Sequence, residues 1–190
     1  KAPAGSGKYI GFDQPRAMSV PRFIAPQLAT LVEGPPAGAD WVHEIKFDGY
    51  RAIASVGDGR AIIRTRNGLD WTDKFKPLEK PLATLKCKSA VLDGEIAVMD
   101  ESGHTSFGAL QNAISEGKGH FGYYLFDLLH LDGEDLRGLP LRERKAKLKK
   151  LLARSGRHNS LHYSSDIEGH GEAAFKEACQ HKLEGIISKR

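Results

Sequence analysis

Glu44, Lys46 and Asp48 stand at alternate positions of the stretch HEIKFDGYR (43–51), with Ile45 and Phe47 between them. On an extended strand this spacing puts the two carboxylates and the amine on one face and the apolar pair on the other. A lysine attacks only after losing its proton. Burial or nearby cations favour that loss, and flanking carboxylates oppose it. The residues alone leave two readings open: a solvated strand face with ordinary ion pairs, and an amine held for covalent chemistry that a metal ion would have to assist.

Other carboxylates recur in similar settings. LDGEIAV places Asp93 and Glu95 at i and i+2, on one face of an apolar strand, and LEGII sets Glu184 directly before a glycine. Carboxylates at strand ends suit Mg²⁺ or a ribose hydroxyl, and glycine admits a ligand close to the backbone. Taken singly, each is more often a turn or an ion pair. GSGK (5–8) is no phosphate-binding loop, because Ala2 replaces the required glycine and Tyr9 the required Ser or Thr. His158 and His162 have i, i+4 spacing but no acidic neighbour, and read as surface residues.

Short alternating runs must position these groups. WVHEIKF (41–47), YRAIASV (50–56) and RAIIRTR (60–66) read as strands, the last two joined as a hairpin by GDG (57–59). A helix capped by Asp70 or Thr72 and bent near Pro77 and Pro81 is predicted to reach Leu85. AVLDGEIAVMD (90–100) reads as a strand kinked at Gly94 and turning at DESG, SFGALQNAI (106–114) as a short helix, and GYYLFDLLHL (122–131) as a buried aromatic strand. LRERKAKLKKLLAR (141–154) is a basic amphipathic helix with Leu141, Leu148, Leu151 and Leu152 on its apolar side; its lysines read as a solvated face. GEAAFKEACQ (171–180) is a last helix before the strand LEGIISKR (183–190). Hairpins and helices without βαβ alternation indicate an α+β fold. Residues 1–20 read as a flexible arm and 21–190 as one domain.

The chain has 190 residues, enough for a substantial core, and a net charge of +4, compatible with an anionic partner. No apolar run approaches a membrane span. Cys87 and Cys179 read as reduced, mostly buried thiols.

EIKFDGYR resembles motif I, K-x-D-G with a following Arg, of the covalent nucleotidyltransferases, which include ATP-dependent DNA ligases and mRNA capping enzymes. TRNG (65–68), LDGEIAV, YYLFDLLHLDGEDL and EGIISK resemble the family's later motifs in the family's order, and FDLLHLDGEDLRGLPLRERK is similar to the bacterial ligase D type. The resemblance implies antiparallel sheets flanked by helices in an ATP-grasp-like nucleotidyltransferase fold, with Lys46 attacking the α-phosphate of ATP to form lysine-AMP for sealing nicks and ends in DNA repair. It places Glu44 near the adenine, Arg51 near ribose or phosphate, Phe126 on the adenine face and Lys189 at the phosphates. Glu95 and Glu184 would serve nucleotide and metal, Mg²⁺ or Mn²⁺, and Arg66 the 5′-phosphate of a nick. Asp93 and Asp127 are left as structural.

The resemblance further implies nicked or broken double-stranded DNA as substrate, a Ku-like end-binding partner, and a monomer in the bacterial cytoplasm at the nucleoid. It leads to the expectation that the sequence stops before the family's motif V and oligonucleotide-binding domain, so that full ligation by this chain alone is doubtful. An RNA ligase or GTP-using capping enzyme would share the lysine chemistry. A non-catalytic nucleic-acid-binding module would carry an inert lysine.

Overall fold

The alternating runs become strands of two sheets. The computed structural model describes residues 20–100 and 103–190, so nearly all of the arm assigned to residues 1–20 lies outside the described residues. In chain order the elements are β1 (Val42–Ile45), β2 (Tyr50–Gly57), β3 (Arg60–Thr65), α1 (Lys76–Ala83), β4 (Ser89–Ala97), α2 (Phe107–Glu116) and β5 (Gly122–Leu131). They continue with β6 (Glu134–Asp135), α3 (Leu141–Ser155), β7 (Leu161–Tyr163), β8 (Asp166–Glu168), α4 (Gly171–Gln180) and β9 (Ile186–Lys189).

The larger sheet runs β3-β2-β4-β5-β6, antiparallel throughout, with β7 added parallel to one end of β5. The smaller sheet, β8-β1-β9, is antiparallel. The predicted hairpin forms, and Asp58 and Gly59 both take positive φ, as the tight turn between twisted strands requires. The fold is α+β, as the sequence indicates, with one parallel pair.

One face of the larger sheet carries Ala52, Ala54, Ile63, Leu92, Ile96 and Tyr123. It packs against Leu78 and Leu82 of α1, Leu110 of α2, and Leu148 and Leu151 of α3 to form the main core. The opposite face carries Ile53, Val91 and Leu129, covered in part by Phe23 and Ile24 from the irregular segment before β1. Alternation puts Arg51, Asp93 and Glu95 on this second face: in the β2–β4 register Arg51 lies opposite Glu95 and Ile53 opposite Asp93.

Two sequence expectations shift. The α1 helix begins at Lys76, not near Thr72, because Asp70 and Thr72 are otherwise engaged: Asp70 Oδ1 accepts from the Thr72 hydroxyl at 2.6 Å, and Thr72 Oγ1 accepts from the Ile63 amide at 3.0 Å. Pro77 then occupies the first turn, where its missing N–H costs nothing. The thiols also differ: Cys87 is half-buried, but Cys179 is exposed.

The kink expected at Gly94 is a β-bulge. Gly94 pairs with Leu125 and Asp93 with Asp127, so Phe126 is an extra residue on β5 with no partner on β4. A Cβ at Gly94 would lie 2.5 Å from the Tyr124 carbonyl oxygen and 2.7 Å from the Tyr123 ring, so the bulge needs a residue without a side chain.

Candidate active site

β1 ends at Ile45, two residues before the alternating run does, and its faces are the reverse of the expected ones. Glu44 is 2% exposed while Ile45 is 46% exposed. Pairing with the chain before β9 continues through Lys46, and the departure follows because Asp48 is claimed elsewhere. The Lys46 amide donates to the Gly185 carbonyl at 3.0 Å, and the Asp48 amide donates to Thr105 Oγ1 at 3.0 Å. Asp48 Oδ2 accepts from the Phe107 amide at 3.1 Å, satisfying an N-terminal donor of α2. Asp48 therefore anchors a helix instead of flanking Lys46. Gly49 must be glycine, since a Cβ there would meet the Ile96 carbonyl oxygen at 2.2 Å.

This departure sends the three polar side chains of the opening stretch to different partners. The Lys46 ammonium pairs with Glu184, which precedes β9; both side chains remain about two-fifths exposed (42% and 40%). Glu44 turns inward. Its Oε1 accepts from Lys145 at 2.9 Å, and its Oε2 accepts from the Ser164 hydroxyl at 3.1 Å and pairs with Lys189 at 3.1 Å. A carboxylate this buried is tolerable only when its lone pairs are so filled. Phe47, half-buried, stacks on Tyr124 at 4.2 Å, and the other neighbour of Tyr124 is His162 at 5.0 Å. His162 is thus a stacking partner, not a surface residue, and burial lowers its proton affinity.

Across from this cluster, Arg51 binds Asp93 through two parallel bonds of 2.6 and 2.8 Å. Its guanidinium carbon lies 4.6 Å from the centre of the Phe126 ring, and Lys189 Nζ lies 4.0 Å from the same centre. Phe126, delivered by the bulge, is 8% exposed and its ring is covered by these two cations. Burial, helped by the Lys145 and Arg51 cations and opposed by Glu44, lowers the proton affinity of Lys189. Burial also pushes Glu95 up to about 7; the Asp93 and Glu184 carboxylates raise it further, while Arg51 and Lys46 pull it down.

The structure therefore gathers Glu44, Lys46, Arg51, Glu95, Phe126, Glu184 and Lys189 between the two sheets. Arg66 is set apart: it lies exposed in the turn after β3, beginning where Thr65 faces Ala52. Glu95 and Glu184 repel each other's charge, which marks them as neighbours, but no cluster of three metal-binding side chains occurs among the described residues. Two carboxylates suit Mg²⁺, which keeps waters and takes further oxygens from a substrate's phosphates.

Sequence reasoning missed Lys145. It sits on the apolar stripe of α3, four residues after Leu141 and three before Leu148, and is 3% exposed. That spacing was the available signal. Arg144 was missed too: it binds both oxygens of Asp127 at 2.8 and 2.9 Å and so ties α3 to β5.

Comparison with known proteins identifies the family. The family model for the ATP dependent DNA ligase domain matches residues 26–190. The multifunctional non-homologous end joining protein LigD of Pseudomonas aeruginosa is 46% identical over 173 residues, covering 90% of this chain and 20% of that protein. LigD of Mycobacterium tuberculosis is 36% identical over 170 residues, covering 88% and 21%. The chain thus spans about a fifth of the length of these relatives. Among solved structures, mycobacterial DNA ligase D complexed with ATP and MES superposes with a TM-score of 0.75 at 35% identity, covering 87% of this chain and 54% of that one. The ATP-dependent ligase of bacteriophage T7, in complex with ATP, shares the fold at a TM-score of 0.55 and 16% identity, covering 78% and 56%. With the family model matching residues 26–190 and so running through both sheets, the chain belongs to the ATP-dependent DNA ligase domain family.

Proposed function

We propose that this chain is the adenylation domain of a ligase D-type DNA ligase and that Lys46 forms the covalent lysine-AMP. The observation that carries this reading is the Lys46 amine paired with Glu184 and close enough to Glu95 to act on its charge, with Arg51 and Lys189 both over the Phe126 ring. ATP in the similar mycobacterial ligase D structure supports the choice of nucleotide.

In the proposed reaction Lys46 Nζ, whose side chain stays 42% exposed, gives up a proton to solvent, and its lone pair forms an N–P bond to the α-phosphorus. The bond from that phosphorus to the bridging oxygen breaks, and the electron pair leaves with pyrophosphate. Phe126 offers its ring to the adenine, Arg51 stays aimed by Asp93 at ribose or phosphate, and Lys189 supplies positive charge to the phosphates. Glu44 fixes the base-side wall through its buried contacts. Glu95 and Glu184 would hold Mg²⁺ or Mn²⁺, which when bound neutralises phosphate charge.

The AMP is then passed to the 5′-phosphate of nicked or broken DNA. Arg66, exposed and without an ion-pair partner among the described residues, is suited to grip that phosphate with two donors. A net charge of +4 favours DNA. In this reading the protein works as a monomer at the bacterial nucleoid, with a Ku-like protein presenting the ends.

Incubation with Mg²⁺ and each nucleoside triphosphate, followed by intact mass and peptide mapping, tests the reading. An acid-labile, AMP-sized adduct on Lys46 that is absent from Lys46→Ala supports it. A GMP adduct alone would identify a capping-type enzyme. DNA binding that is indifferent to Lys46→Ala, with no adduct from any nucleotide, would identify a non-catalytic module.

A further inference from the structure

Lys145 lies on α3, the last residue of the stretch FDLLHLDGEDLRGLPLRERK and without a role in the resemblance, yet it reaches Glu44 of the site. Its Nζ donates to Glu44 Oε1 at 2.9 Å and to the Ser164 carbonyl at 3.0 Å, lies 3.2 Å from Asp166 Oδ1, and sits over the Tyr163 ring at 4.8 Å. Glu44 Oε2 in turn holds Lys189, whose Nζ lies over Phe126. The result is a chain of contacts from α3 through β1 and β9 to the aromatic surface on β5.

We propose that Lys145 is a positioning residue: by fixing the Glu44 carboxylate it sets where Lys189 stands over Phe126, and so prepares the cleft for a nucleoside triphosphate. The nucleotide part of this inference rests on the function proposed above.

The geometry explains why a second cation is needed. Glu44 has two oxygens and three side-chain donors. Lys145 takes one oxygen, leaving Oε2 to be shared by Ser164 and Lys189. Without Lys145 the freed Oε1 turns to Lys189, the remaining ammonium, which already contacts Oε2 of the same carboxylate, and draws that amine toward β1 and away from the ring. An unpaired, buried oxygen is too costly to persist beside an available donor.

The neighbouring residue strengthens the arrangement. Arg144 locks α3 to Asp127, directly after Phe126, while Lys145 locks α3 to Glu44 of the smaller sheet. Two consecutive residues of one helix thus hold the two sheets on either side of the cleft. The remaining charged groups acting on Lys189 are Arg51 on β2 and Asp93 on β4, neither of which contacts Lys145.

The test uses the chain with Lys145→Met, Glu44→Gln and both together. Its primary readout needs no nucleotide. An amine above an aromatic ring has ε-methylene protons moved upfield by the ring current, so NMR of the lysine side chains, with Lys189→Met to assign the signal, reports the placement of Lys189. We expect the upfield shift in the unsubstituted protein and its loss in Lys145→Met.

The double variant separates positioning from stability. Replacing both members of a buried pair with neutral residues recovers part of the stability lost on removing one, and only part here, because Lys189 loses Glu44 and Asp166 loses Lys145. Recovered stability in the double variant with the Lys189 signal still displaced supports the inference. A Lys189 signal unchanged in Lys145→Met overturns it, as does its return whenever stability returns. Where the unsubstituted chain forms the adduct, Lys145→Met should raise the ATP concentration for half-maximal rate about tenfold and lower the saturated rate less. If the unsubstituted chain forms no adduct, the proposed activity fails while the NMR result still decides the role of Lys145.

Discussion

The two carboxylate oxygens of Asp93 are both occupied by the Arg51 guanidinium, at 2.6 and 2.8 Å. Asp93 is 3% exposed, and the arrangement holds the Arg51 head over Phe126, 4.6 Å from the ring centre. Asp93 thus holds Arg51 in place.

Asp93→Asn should therefore act in two ways. It leaves a partly buried guanidinium without its counter-charge, costing about 3 kcal/mol, and it frees the guanidinium from its place over Phe126. Urea unfolding should show the stability loss, and adenylation should need more ATP. Unchanged stability would show that solvent satisfies Arg51 without help.

Gly94→Ala strikes the bulge itself. The added Cβ would approach the Tyr124 carbonyl oxygen to 2.5 Å, and backbone cannot swing aside as a side-chain tip can. Overpacking of this kind costs about 1–3 kcal/mol. Because the strand must shift where Phe126 projects, adenylation should suffer more than folding does. A variant of normal activity and stability would mean that the sheet absorbs the methyl group elsewhere.

The legible parts of this protein were those that repeat locally. Alternation placed β2, β3 and β5 within a residue and β4 within three at its far end, and the i, i+2 spacing put Asp93 and Glu95 on one face, because both follow from the strand's period alone. β7 and β8 escaped notice: three residues each, in LHYSSDIE, are too few to show a period. Phe126 reaches the cleft through a bulge that alternation cannot foresee. The direction of Glu44 was misread because it is set by Lys145, 101 residues away, and by Lys189, neither of which a local pattern contains. Lys46 was singled out by ordered motifs, not by its immediate neighbours. Its actual carboxylate partner, Glu184, comes from the far end of the chain.

The two thiols should react at very different rates. Burial pushes the Cys87 thiol up to about 11, with the nearby Asp132 charge adding to the effect and Arg154 opposing it. The thiolate is the reacting form, so Cys87 stays protonated and slow at pH 8. Cys179 is exposed near the end of α4. Iodoacetamide in native buffer should label Cys179 well before Cys87, and urea should remove the difference. Equal native rates would contradict the burial of Cys87.

Glu95 should give the metal-free protein a stability that falls with rising pH. Its carboxyl titrates near 7 in the folded chain, against 4.5 for an unburied glutamate. Between these values the folded state binds the proton more tightly than the unfolded state does. The stabilisation is complete below about pH 4.5 and is lost as pH rises through about 7. The full shift corresponds to at most about 3 kcal/mol. Glu95→Gln stays neutral at every pH and fills nearly the same space. With EDTA present, urea unfolding from pH 5 to pH 8 should show stability falling in the parent relative to the variant, by about 1–3 kcal/mol. Taking the difference cancels the histidines, including His43 and His162, whose proton affinities burial lowers and which push the other way. Parallel pH profiles for the two proteins would mean that Arg51 and Lys46 hold Glu95 charged throughout.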